Sequence, residues 1–168
     1  MLEAFAAWLA STPVTAFLQN HEWAVPAVQT LHILAIAVVV GGAAIANLRI
    51  LGVVERDQPV SATLDRFLPW TLTAVLVLLA TGLLLIASEP NRAIFRTVFW
   101  LKMGLVVAAT AATWGQRFAF ADHKAWDVGS PVPLPLRVLS VALLIAWIGV
   151  IFAGRWIGYV SGWPGAPG

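Results

Sequence analysis

The chain has 168 residues, of which 60% are hydrophobic and 11% are charged, with a net charge of +2. So few charges exclude an ordinary soluble domain, and the scattered basic residues do not favour a nucleic acid partner. Because cysteine is absent, disulfides, iron–sulfur clusters and covalently attached c-type haem are excluded as well.

The segment before the first long apolar run, residues 2–22, is apolar but interrupted. Pro13 divides the sequence LEAFAAWLASTPVTAFLQNHEW, and the polar run QNHE ends it. Ser11 or Thr12 can cap the second half, with Pro13 in its first turn. The segment therefore predicts two short helical pieces that lie in the membrane interface and do not cross it. Without a basic n-region, no cleavable signal peptide is expected.

Four long apolar runs predict membrane-spanning helices at about residues 25–48, 67–87, 97–115 and 134–154. Each run can cross a hydrocarbon core about 30 Å thick at about 1.5 Å per residue. None of the runs alternates polar and apolar residues, as a barrel strand would. The expected fold class is all-α, namely an integral membrane four-helix bundle with an N-terminal interfacial helical segment. The whole chain (1–168) is expected to form one transmembrane domain, and the lipid bilayer is its expected partner.

The basic residues of the connections predict the orientation of the chain. The first and third connections carry six lysine and arginine residues, and the second connection and the tail carry three. Because basic connections tend to stay in the cytoplasm, both termini are expected on the outside of a bacterial inner (plasma) membrane.

Two ionisable residues lie within the predicted spans, His32 in the first and Lys102 in the third. They lie about seven and about five residues from the outer ends of their helices, so the helical rise places them at nearly the same depth. Lysine at the bilayer centre costs about 2.5–3.5 kcal/mol, and the short side chain of histidine cannot reach the interface. Lys102 can lower this cost by snorkelling outward or by facing a polar interior. His32 is expected to point inward and to need polar partners, for which Gln29, Thr81 and Ser88 are candidates.

This arrangement favours a b-type haem as one possible cofactor. A neutral imidazole can ligate the iron, and arginines at the membrane surface can pair with the propionates. His32 would be the axial ligand to the haem iron, and Lys102 a ligand, a propionate partner or a proton donor. The candidate propionate partners are Arg92, Arg96 and Arg155. His21 lies about 16 Å before His32 along a continuous helix, so it can be the second ligand only if the chain folds back before Pro26.

Two other functions remain open. His21, Glu22 and His32 could form a weak metal site, which would suit a copper or small-solute transport module. Alternatively, small residues spaced four apart in the first and fourth spans allow helices to approach closely, within one chain or between copies in a homo-oligomer. The chain would then be a non-catalytic accessory subunit of a larger membrane complex, in which His32 and Lys102 make buried hydrogen bonds.

The run LHILAIAVVVGGAAIANLRILG resembles the first helix of an uncharacterised bacterial family of small four-helix membrane proteins. More remotely, the chain resembles the HemJ-type protoporphyrinogen oxidases and the membrane domain of copper-resistance D proteins. These share a histidine-bearing helix that ends in arginine, here Arg49, and a later helix with an early lysine, here in FWLKMGLVV. The HemJ resemblance implies haem b, porphyrinogen oxidation, and functional roles for His32 and Lys102. The function expected overall is that of a small b-type haem protein, which would exchange electrons with a redox partner or oxidise a porphyrinogen.

Overall fold

A computed structural model describes residues 1–120, 128–129 and 131–157 of the chain. Most of these residues are helical and none lies in a strand, which confirms the predicted all-α class. In chain order the helices are α1 (Leu2–Ala10), α2 (Pro13–Asn20), α3 (Ala24–Ile50), α4 (Val60–Ser88), α5 (Pro90–Ile94), α6 (Thr97–Ala119) and α7 (Leu134–Trp156).

The helices α3, α4, α6 and α7 are long and apolar enough to cross a membrane, as predicted. The largest difference from the predicted bounds is the start of α4, which begins at Val60 and not near residue 67. The additional turns contain Ser61, Thr63, Asp65 and Arg66, so they lie outside the apolar run of this span. They are nevertheless part of the core, because Val60 and Leu64 are fully buried against Ile50 and Phe120.

The two N-terminal helices α1 and α2 confirm the prediction of two helical pieces before the first span. Thr12 caps α2, because its hydroxyl accepts a hydrogen bond from the Thr15 backbone N–H at 3.3 Å. The α2 helix is attached to the end of α4, where Thr15 Oγ1 lies 2.9 Å from Ala87 O and Gln19 Nε2 donates to Ser88 O at 3.0 Å. These side chains supply partners to carbonyl groups that a helix C-terminus leaves unpaired.

The four long helices pack around one apolar core. Helix α3 packs along α4 and also against α7, and α6 packs along α7, whereas α4 and α6 meet at few positions. One large side chain, Trp147, is surrounded by smaller ones in this core, which consists of Val39, Ala43, Ala74, Ala109, Leu143, Trp147 and Val150. We call the end of the bundle where α5 connects α4 to α6 the α5 end, and the other end of the bundle the opposite end.

Candidate functional site

His32 lies on α3 toward the α5 end, and its imidazole is directed at α4. Its Nδ1 atom is 2.7 Å from Thr81 Oγ1, so one of the predicted neighbours is confirmed as its hydrogen-bond partner. The adjacent residue Gly82 lies beside the ring, since a Cβ atom there would be in ordinary van der Waals contact with the His32 Cε1 atom at 3.6 Å. Of the other two candidates, Gln29 is exposed and Ser88 is buried with its hydroxyl on Leu85 O.

The hydrogen bonds of Thr81 determine which nitrogen of His32 carries the proton. The Thr81 hydroxyl lies 2.7 Å from the carbonyl oxygen of Val77 on the preceding turn. A carbonyl oxygen can only accept, so the single hydroxyl proton is used in this bond. The His32 Nδ1–H group therefore donates to Thr81 Oγ1, and Nε2 of the neutral ring keeps its lone pair. This lone pair is available to an iron or to a hydrogen-bond donor.

Lys102 lies on α6 toward the same end of the bundle and is half-buried. Its ammonium group packs on α7 at Gly154, where an added Cβ atom would lie 3.3 Å from Nζ. Within the described part of the chain, Lys102 makes no hydrogen bond or ion pair. Among the described residues, the α5 end thus contains an imidazole with a free lone pair on α3 and an ammonium group without a hydrogen-bond partner on α6.

The three arginines predicted as propionate partners lie around this end. Arg96 precedes α6 and donates through Nη1 to the carbonyl oxygen of Ile157, which connects the start of α6 to the end of α7. Arg155 is exposed in the last turn of α7, next to Gly154. Arg92 belongs to α5, and its side chain lies outside the described residues.

His21 is placed on the surface. Its Nδ1 atom donates to Phe17 O at 2.8 Å, and its ring lies 4.3 Å from the Phe17 ring, centroid to centroid. Across the described residues, no three histidine or acidic side chains form a group that could hold a metal ion. The set His21, Glu22 and His32 considered for copper is therefore not brought together.

Arg49, the arginine at the end of the first span, is 7% exposed and lies at the opposite end of the bundle. Its Nε atom donates to Gln58 O at 2.8 Å, so it closes the connection between α3 and α4. Seventeen residues of helix, about 25 Å, separate it from His32. Arg49 therefore takes no part in the site at the α5 end.

A buried polar cluster at the opposite end was not predicted. Gln116 Nε2 donates to Asn47 Oδ1 at 3.0 Å and to Ser140 Oγ at 3.2 Å, and the three residues are between 0% and 1% exposed. The cluster joins α3, α6 and α7. Gln116 Oε1 is buried and has no hydrogen-bond partner among the described residues. The available signal was weak: Asn47 interrupts an apolar run, and Gln116 directly follows the predicted end of the third span.

The fold and the site define a class, namely an all-α, multi-pass membrane protein with a histidine and a lysine in the interior of one end of its bundle. The chain belongs to DUF6644, a family of unknown function whose model matches residues 14–160. This match includes His32, Thr81 and Lys102 and confirms membership of an uncharacterised family. No curated protein and no solved structure matches the chain, so no comparison supports the similarity to HemJ-type or copper-resistance D proteins, which stays a prediction.

Proposed function

We propose that this chain is a small membrane protein that binds b-type haem and takes part in electron transfer. The observation that supports the proposal is the bond between His32 Nδ1 and Thr81 Oγ1. Metal-ligating histidines generally donate their other ring N–H to a fixed acceptor, which sets the tautomer and the orientation of the ring. Thr81 provides such an acceptor because its own hydroxyl is held on Val77 O.

The side chains at the α5 end fit the chemistry of this cofactor. His32 would hold the haem iron through its Nε2 lone pair. Lys102 would pair with a propionate or hold a proton close to it, since its ammonium group has no partner among the described residues. Arg155 in the last turn of α7 is a second cation on that side. When bound, haem b supplies one-electron exchange at its iron.

Porphyrinogen oxidation is the enzymatic form of this proposal. It is supported by the resemblance at His32 and Lys102 to the HemJ-type proteins. The binding of haem can be tested first, because both electron transfer and porphyrinogen oxidation depend on it in this proposal. The redox partner of an electron-transfer protein would be a second membrane or membrane-bound protein.

The competing function is an accessory subunit, and one observation favours it. A hydrogen bond between side chains of two spans stabilises helix packing in a membrane without any ligand, and the bond between His32 and Thr81 joins α3 to α4 in this way. In that function neither the Nε2 lone pair of His32 nor the ammonium group of Lys102 has a chemical role.

Optical spectroscopy separates the two functions. The protein would be purified in mild detergent from haem-replete cells, and reduced-minus-oxidised spectra would be recorded with the haem content per chain. We expect a Soret band and an α-band from the wild type and their loss in His32→Ala. The matched control is His21→Ala, which removes a surface histidine from the same N-terminal region and should keep the spectrum.

Each result decides between the alternatives. A colourless wild-type protein would refute haem binding and favour the accessory function. A spectrum that survives in His32→Ala but is lost in His21→Ala would refute the assigned ligand. Reporter fusions test the location that we propose with this function, a bacterial inner membrane with both termini outside. A fusion after Gly168 should report a position outside the cytoplasm.

A further inference from the structure

An apolar groove lies between α2 and the first two turns of α3, and α4 contributes Leu84 to its lining. The space in it amounts to about 480 Å³, which is within the range of ordinary small-molecule sites. All of its lining side chains are apolar; they include Phe17, Trp23, Ala27 and Leu31. Because the groove opens on the outside of the bundle, an apolar molecule can enter it from the lipid side.

The rim of the groove at the N-terminus of α3 is polar. The ring of His21 lies 4.3 Å from Phe17 and 6.2 Å from Trp23, centroid to centroid, and both aromatic residues line the groove. The next residue, Glu22, is exposed, and in the described part of the chain it makes no hydrogen bond or ion pair. Tryptophan and histidine side chains that combine an apolar body with a polar edge suit the boundary between acyl chains and headgroups.

The charge at this rim indicates which kind of lipid headgroup the groove would accept. Residues 1–48 contain no lysine or arginine, whereas Glu3 and Glu22 are acidic. Within residues 13–31, which line most of the groove, an anionic headgroup would therefore find no lysine or arginine, in contrast to the basic clusters that recognise anionic lipids. An ammonium headgroup would find the carboxylate of Glu22, which is available for an ion pair.

We propose that this groove is a binding site for one aminophospholipid of the phosphatidylethanolamine type. One of its acyl chains lies in the groove, and its ammonium group lies beside Glu22. This site is separate from the one proposed for haem, because neither His32 nor Thr81 lines the groove. The site would attach the α1–α2 segment to the bilayer and to α3.

Native mass spectrometry of the protein in nanodiscs tests this proposal. The nanodiscs would contain equal amounts of phosphatidylethanolamine and phosphatidylglycerol, and the lipids retained after release would be identified by mass. Ala27→Phe fills the groove, and Ala37→Phe is the matched control, because Ala37 is also an exposed alanine of α3 and does not line the groove. Glu22→Gln removes the charge and leaves the groove unchanged.

We expect one phosphatidylethanolamine on the wild type and on Ala37→Phe, and at least a fivefold lower occupancy on Ala27→Phe. Glu22→Gln should retain a lipid but lose the preference between the two headgroups. The helical circular dichroism of both phenylalanine variants must match that of the wild type. Equal retention by Ala27→Phe and Ala37→Phe, a preference for phosphatidylglycerol, or retention of an isoprenoid quinone in place of phospholipid would overturn the proposal.

Discussion

Gly42 allows the close packing of α3 against α4, and its replacement by alanine tests that packing. A Cβ atom at Gly42 would lie 2.5 Å from Thr71 Oγ1 on α4. Thr71 cannot yield easily, because it is 5% exposed and its hydroxyl donates to Phe67 O at 3.0 Å. Its χ1 angle is also restricted by branching at Cβ. The neighbouring Gly41 is exposed and has nothing within 4 Å of such an atom, so Gly41→Ala is the matched control.

The expected difference between the two variants follows from these contacts. In Gly42→Ala the contact must open from 2.5 Å to about 3.4 Å, where ordinary van der Waals contact begins, and such overpacking costs about 1–3 kcal/mol. Both variants gain about 0.5–1 kcal/mol from replacing glycine inside a helix. Because this gain is common to both, the free energy of unfolding of Gly42→Ala should be about 1–3 kcal/mol below that of Gly41→Ala.

Reversible unfolding in mixed micelles, followed by circular dichroism, measures this difference. A second variant, Gly42→Ala with Thr71→Ala, removes the hydroxyl that clashes and should recover most of the loss relative to Thr71→Ala alone. If Gly42→Ala is as stable as Gly41→Ala, the close approach of α3 and α4 at this level is refuted. The packing that brings His32 to Thr81 would then have to be reconsidered.

Two further predictions concern the polar groups of the interior. Thr81→Val should lower haem affinity about 10–100-fold, as the loss of a partner of a ligating histidine does. Thr81→Ser should restore it in a spectrophotometric titration, and equal affinities would exclude a positioning role for the hydroxyl. Gln116→Leu should lower the free energy of unfolding by about 1–3 kcal/mol, because Asn47 Oδ1 loses its donor in a buried place. A loss below about 0.5 kcal/mol in the mixed-micelle assay would show that the cluster is unimportant for stability.

The four long helices could be predicted because membrane insertion depends on the length and apolarity of a segment, and both properties can be read from a single sequence. The positions of Thr12 and Pro13 likewise predicted the start of α2, since caps depend on local sequence alone. The start of α4 could not be predicted in this way. The turn from Val60 to Leu64 is held by tertiary burial against Ile50 and Phe120, a contact between distant segments that no local window includes.

The polar groups at the two ends of the bundle differ in how well the sequence predicts them. Depth along a helix follows from residue counting, so a common depth could be predicted for His32 and Lys102, with Thr81 among the candidate partners of His32. The contact between Asn47 and Gln116 depends on the rotation of α3 and α6 about their own axes. Rotation is set by packing, and α3 is apolar nearly all around, so its sequence does not indicate which face is turned inward.

Lys102 gives the strongest physical reason to assign a function to the α5 end. Its half-buried ammonium group has no partner among the described residues, and lysine at the bilayer centre costs about 2.5–3.5 kcal/mol, with less toward the interface. Lys102→Met keeps most of the side-chain volume and removes the charge, so we expect the ligand-free protein to gain about 1–3 kcal/mol in free energy of unfolding.

The same variant should bind haem less tightly, because a propionate would lose its cationic partner. Unfolding in mixed micelles and a haem titration measure the two effects on one preparation. A stability gain combined with a loss of affinity is typical of a residue retained for binding at the expense of stability. If Lys102→Met instead destabilises the protein and leaves haem affinity unchanged, Lys102 has a structural role, and the accessory function becomes the better explanation of this end of the bundle.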